Sequence, residues 1–295
     1  MTALSAGVVI DAIVPSGVSA WCQTLRIDAR LPEGTIRRYF LKVQSGEAGR
    51  RMMEGTFYSE STYATFCPDH FYLCEYHDIV NELPDMKSFV AIVAKVHKAS
   101  MGKSPTRKYG FSVPTHLANI PNDNQWQVSW ATWYTQAMKA MFEFEKRTHD
   151  EDAEMETLFA ALKEKVIPGL LRPLKTGGRA IEPCLIHSDL WPGNCEIDAE
   201  SKKLMIFDSC AYWGHNEADL GSWQAPRYRL GRPYREQYKR DDRNALCCDL
   251  LVSGLYPKET KFREMAKKEM TSLIEKFPNG LNEDDPLYAP KIEET

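Results

Sequence analysis

Two carboxylates and an amide at fixed intervals constrain this chain more than anything else in it. In His187-Ser188-Asp189-Leu190-Trp191-Pro192-Gly193-Asn194 an Asp and an Asn lie five residues apart, and a second Asp closes the apolar run of Leu204 to Phe207. The runs around 184–187, 194–198 and 204–208 read as short strands. A strand ending at Asp208 leaves that carboxylate exposed at its end, free to take a cation.

The interval is the layout of a kinase catalytic loop, H-R-D-x-x-x-x-N, with its later metal-binding Asp. Phosphoryl transfer needs little covalent help. It needs a carboxylate on the attacking hydroxyl and hard oxygen ligands on Mg²⁺. Asp189 is then the base, and Asn194 and Asp208 hold the metal. A lone loop Asp would more often cap a turn, so the reading depends on all three positions. His187, two before Asp189, braces the loop through hydrogen bonds rather than titrating. Lys42 ends a strand, where its ammonium can neutralise nucleotide phosphates. On its own it would be a solvated strand lysine. Ser16-Gly17-Val18-Ser19 lies between the first two strands, where Gly17 permits close approach and the Ser19 hydroxyl can reach phosphate. It is not G-x-G-x-x-G and alone is no more than a hairpin turn. Asp219, on a helix after the metal Asp, can hold the catalytic loop by accepting backbone N–H bonds, or it can be a surface Asp.

Along the chain, strands come first. Residues 8–45 hold a short apolar run from Val8 to Val14, an alternating strand around Gln23–Asp28, a turn at Pro32-Glu33-Gly34 and a strand from Arg38 to Val43. A helix is expected over 49–64 and a short strand from Phe71 to Tyr76. Helices follow: one started by Pro84-Asp85, one carrying an aromatic stripe from Trp126 to Met141, one through Leu158–Val166, and a last one from Thr260 to Phe277. This order predicts an α+β, bilobal, protein-kinase-like fold with a small β-rich N-lobe at 1–77 and a large helical C-lobe at 78–280. The lobes would meet at Glu75–Asp78, which puts Glu75 and Tyr76 against the nucleotide. Residues 281–295 read as a loose acidic tail.

Composition narrows the partners. A net charge of −4 disfavours nucleic acid or an anionic membrane. No apolar run reaches the roughly 20 residues of a membrane span, and the first residues lack a basic signal-peptide n-region. A cytoplasmic protein is expected. None of the eight cysteines forms a C-x-x-C pair, and Cys74, Cys184, Cys195 and Cys210 sit in apolar runs, which suggests reduced buried thiols. Cys22 adjoins the candidate phosphate loop.

The segment HSDLWPGN…LMIFDSCAYWGHNEADLGSW resembles the fructosamine kinase family, the ketosamine-3-kinases, within the aminoglycoside-phosphotransferase-like fold. GVSAWCQTLRI resembles the family's phosphate loop and YFLKV its lysine strand. VIPGLLRPLKTGGRAIEPCLIHSDLWPGN and DDRNAL look like the fungal members. The resemblance implies an ATP- and Mg²⁺-dependent kinase acting on the 3-hydroxyl of ribulosamine or fructosamine adducts on protein lysines, or on small ketosamines. The phosphorylated adduct is then lost, so the implied role is protein deglycation repair. Carried over by residue, Asp189 is the base, Asn194 and Asp208 bind Mg²⁺, Lys42 binds phosphate, and Trp191 lies beside the sugar or anchors the loop.

Four departures follow. Ser188 replaces a Gly, a mild change where φ is negative. Thr56 occupies the position of the glutamate that pairs with the strand lysine, and Glu60, one turn later, is the replacement partner for Lys42. The interval before Phe71 is too short for the usual strand and hairpin, and a second contraction lies at Lys239–Asp241. The remaining alternatives are a kinase of another small alcohol, such as an aminoglycoside or choline, and a non-catalytic pseudokinase.

Overall fold

The computed structural model describes residues 4–66, 75–171, 181–224, 228–238, 253 and 255–278. β1 (Val9–Pro15), β2 (Gln23–Arg30) and β3 (Ile36–Val43) form one antiparallel sheet in that order. β2 and β3 pair without interruption from Gln23↔Val43 to Arg30↔Ile36, and the Leu31–Thr35 turn closes on Gly34 at φ +90°. Only glycine adopts that angle without strain. β1 carries an irregularity between Ile10 and Ala12.

Helix α1 (Gly46–Phe66) follows. Gly55 lies where a Cβ would collide with the Pro114 carbonyl, so a side chain there would push the helix off the loop beneath it. The main body contains β4 (Ile79–Val80), α2 (Met86–Ser100), a small hairpin of β5 (His116–Leu117) and β6 (Ile120–Pro121), and α3 (Trp130–Thr148). α4 (Ala153–Ala161) passes through one wide π turn at Leu162–Val166 into α5 (Ile167–Leu171). Pro168 has no N–H to give and would crowd the carbonyl one turn back, a conflict that the wider turn relieves.

β7 (Cys184–Ile186) pairs with β10 (Tyr212–Gly214), while β8 (Cys195–Asp198) lies between β4 and β9 (Leu204–Ile206). α6 (Arg232–Tyr238) and α7 (Thr260–Lys276) complete the described elements. The core runs through α2, α3, β7 and β10. The Trp133 ring stacks on Trp130 and on Tyr212, with centroids 5.4 and 4.1 Å apart. The aromatic stripe is therefore core, as its periodicity predicts.

Some boundaries differ from the sequence reading. α3 starts at Trp130 and not Trp126, because Ser129 caps it by accepting the Thr132 N–H at 3.1 Å. Asp219 lies on a short 3₁₀ turn, Asn216–Leu220, and not on a longer helix. The strand expected from Phe71 to Tyr76 is described only at its end, as a single antiparallel bridge between Glu75 and Tyr39. Phe71 to Cys74, the contraction at Lys239–Asp241 and the acidic tail lie outside the described residues. Cys184, Cys195 and Cys210 are buried free thiols, and Cys22 is a half-buried one. Among the described residues no helix is long and apolar enough to cross a membrane.

Candidate active site

The catalytic-loop motif spans the turn between two buried strands, β7 and β8. A 3₁₀ turn at Pro192–Asn194 folds the loop back, so that the Asn194 amide donates to both the Asp189 carbonyl, at 2.8 Å, and the Asp189 carboxylate, at 2.9 Å. Those two bonds aim the carboxylate. Burial, followed by the nearby charge of Asp208, pushes the Asp189 pKa up to about 7. His187 is fully buried between the loop and the next strand. Its Nε2 donates to the Phe207 carbonyl at 3.0 Å, leaving Nδ1 to accept the Asp189 N–H at 3.3 Å. Burial lowers its pKa and keeps the ring neutral, the form those two bonds require.

Asp219 is almost wholly buried, and its carboxylate accepts the backbone N–H of His187 at 2.8 Å and that of Ser188. The same carboxylate meets His97 Nε2 at 2.9 Å, and His97 Nδ1 meets the Tyr238 hydroxyl at 2.7 Å. The site is thus anchored to α2 and α6. Ser188 stands at φ +70°, not at the negative φ that would make it a mild replacement for glycine. A left-handed L-residue is strained by roughly 1–2 kcal/mol. After allowing for the extra flexibility of an unfolded glycine, Ser188→Gly is expected to stabilise the chain by about 1 kcal/mol. Urea denaturation of the two forms checks this.

Lys42, on β3, forms an ion pair with Asp208, which follows β9 and is half-exposed at φ +63°. Sequence reading expects Glu60 as the partner of Lys42, and the structure corrects this. Glu60 is buried and accepts the Ser209 backbone N–H, while the lysine goes to Asp208. Glu60 lies against the segment that follows Asp208, with the Lys42 ammonium near enough to act on its carboxyl but not paired with it. Burial raises the Glu60 pKa to about 7 from an ordinary 4.5. The folded state therefore prefers the protonated carboxyl. Stability is fully present below about pH 4.5 and is lost as pH rises through 7. Glu60→Gln keeps an acceptor for Ser209 and removes the charge. Between pH 4 and pH 8 the wild type should lose about 3 kcal/mol relative to this variant in chemical denaturation.

The remaining positions are spread around the N-terminal sheet and the loop mouth. Gly17 sits at φ +75°, and the Ser19 hydroxyl accepts the N–H groups of Trp21 and Cys22 at 3.2 and 3.3 Å. Glu75 and Tyr76 lie along the β3 edge, with the Tyr76 N–H on the Arg38 carbonyl at 3.0 Å. The Trp191 ring covers Gly193, is 37% exposed and meets Tyr228 with centroids 5.7 Å apart. Ser59, Ser209, His97, Tyr228 and Tyr238 take part in this arrangement, and apart from Ser59, in the helix motif that ends at Glu60, no sequence motif points to them. The available signal for His97 was a polar residue within the apolar face of α2.

The fructosamine kinase family model matches residues 28–226, more than half of the chain. The chain is similar to a chloroplastic protein-ribulosamine 3-kinase of Oryza sativa subsp. indica, 33% identical over 45% of this chain and 36% of that protein. It is also similar to a mouse ketosamine-3-kinase, 36% identical over 38% of this chain and 34% of the other. The matched stretch thus spans about a third of the length of these curated relatives. A crystal structure of a putative fructosamine-3-kinase from Haemophilus somnus superposes with a TM-score of 0.68 at 16% identity, covering 90% of this chain and 92% of the other. An ADP-bound aminoglycoside phosphotransferase, APH(2'')-Ib, superposes at 0.52 with 12% identity over 90% and 92%. The fold is the α+β kinase-like fold of these structures, and the chain belongs to the fructosamine kinase family.

Proposed function

We propose that this chain transfers the γ-phosphoryl group of Mg·ATP to the 3-hydroxyl of a ribulosamine or fructosamine adduct on a protein lysine, as a step in deglycation repair. The observation that carries the reading is the coplacement of Asp189 with Asn194 and of Asp208 with Lys42, in a chain of this family. Names of the curated relatives, protein-ribulosamine 3-kinase and ketosamine-3-kinase, supply the acceptor class.

The donor set fits a magnesium nucleotide. Asn194 spends its NH₂ on Asp189, which leaves the amide oxygen for a metal, and the Asp208 carboxylate already carries a cationic group, the Lys42 ammonium. Asp208 and Asn194 would hold Mg²⁺, which would neutralise charge on the transferring phosphoryl group. Asp189 accepts the proton of the attacking hydroxyl. A pKa near 7 suits a base working near neutral pH. Lys42, Gly17, Ser19, Glu75 and Tyr76 line the nucleotide side, between an N-lobe at 1–77 and a C-lobe at 78–280. Trp191 offers an exposed indole face to the sugar.

Mg·ATP at 100-fold its Kd should stabilise the wild type by about 2.7 kcal/mol in a thermal shift. Asp208→Ala should lose most of that gain. A folded wild type that shows no shift would favour a non-catalytic binding module. A panel of ribulosamine, fructosamine, aminoglycoside and choline acceptors separates the acceptor classes.

A further inference from the structure

The segment from Phe207 to Ala211, around Asp208, has its backbone groups held by groups from three parts of the chain. The Phe207 N–H goes to the Asn194 carbonyl at 3.1 Å, and the Cys210 N–H goes to the His187 carbonyl at 2.9 Å, so the catalytic loop holds one side. Helix α1 holds the other. Glu60 accepts the Ser209 N–H, and the Ser59 hydroxyl donates to the Ser209 carbonyl at 2.7 Å while accepting the Ala211 N–H at 2.7 Å. On a third side, the Thr115 hydroxyl donates to the Cys210 carbonyl at 3.5 Å. Ser59 is fully buried, and Glu60 and Ser209 are nearly so. Backbone groups this deep have no water to fall back on, so the latch must be made for the segment to hold its shape.

Asp208 sits at the head of this segment in a left-handed conformation that an aspartate does not hold by default. Kinases of the general pattern tie the helix to the strand lysine with a glutamate. Here the lysine is on Asp208, and the helix reaches the backbone just past Asp208 instead. We propose that Ser59 and Glu60 are positioning residues: by latching Ser209 and Ala211 they hold the Asp208 carboxylate in its metal-binding orientation, and they take over the role of the lysine–glutamate pair. Glu60 acts in this as a hydrogen-bond acceptor, and its charge is dispensable. The proposal rests on the reading of Asp208 as a metal ligand.

The two roles open to Glu60 predict opposite results for one substitution. Binding of Mn²⁺·ADP, measured by calorimetry, is the probe, because it needs no turnover. Glu60→Ala and Ser59→Ala should each weaken it roughly tenfold, since a buried bond lost beside the site is worth about that factor. Amide exchange at 209–211 should speed up in both variants. Glu60→Gln, which retains an acceptor oxygen, should recover most of the affinity and the protection. The KM for the acceptor should stay near the wild-type value in all three. If Glu60→Gln weakens Mn²⁺·ADP as much as Glu60→Ala, the charge matters and the latch is overturned. The same follows if exchange at 209–211 is unchanged in Glu60→Ala. A wild type that binds no Mn²⁺·ADP overturns the phosphoryl-transfer reading itself, and with it the role given to the latch.

Discussion

Asp189→Asn is expected to lower kcat by about 10² or more while leaving the fold and the affinity for Mg·ATP near wild type. The substitution keeps the shape of the side chain, and the amide can still meet Asn194 after a flip. What it removes is the ability to take a proton from the attacking hydroxyl. Burial and the neighbouring Asp208 charge raise the Asp189 pKa to about 7, which suits the proposed role of base near neutral pH. Steady-state kinetics with a ketosamine acceptor, beside a thermal melt of the same protein, separates lost chemistry from lost fold. A variant with kcat within a few-fold of the wild type would remove Asp189 from the role of base.

The second large effect is expected at Asp219, and it falls on stability. Its carboxylate receives the N–H groups of His187 and Ser188 and faces His97 Nε2, all with almost no solvent access. Asp219→Ala leaves these donors buried without an acceptor, at about 1–3 kcal/mol each. A total loss of roughly 3–5 kcal/mol is expected, visible as a fall in Tm of at least about 6 °C. The variant should also lose activity, because Ser188 holds its left-handed backbone against the Asp219 carboxylate and Asp189 is the next residue. Asp219→Asn keeps one acceptor oxygen and should fall between the two. A surface aspartate would change stability by no more than about 0.5 kcal/mol, so the melt alone distinguishes the cases.

Much of the site was legible because its chemistry is local in sequence. Asp189 and Asn194 lie on one turn, and their spacing alone dictates that the amide can reach the carboxylate. The N-terminal strands were equally readable, since alternation at 23–28 and a glycine turn at 34 leave little choice of register. What could not be read was the pairing of groups brought together by tertiary packing. Helix spacing directs Glu60 to Lys42, because Glu60 lies one turn after Thr56 on the same face. In the folded chain Glu60 meets the Ser209 N–H instead, and Lys42 pairs with Asp208. Ser188 shows the same limit, because only the fold reveals that its backbone is left-handed. His97 and Tyr238 lie far from the motif in sequence and reach it only through Asp219. Long-range hydrogen bonds of this kind leave no periodic trace.

The central claim is that this chain moves phosphate from ATP to a sugar hydroxyl of a ketosamine. The most direct measurement is transfer of labelled γ-phosphate from Mg·ATP to a ribulosamine- or fructosamine-bearing protein, with Asp208→Ala as the paired control. The account predicts label on the glycated protein with the wild type, none on the unglycated protein, and almost none with Asp208→Ala. A folded wild type that binds Mg·ATP and labels neither ketosamine would contradict it.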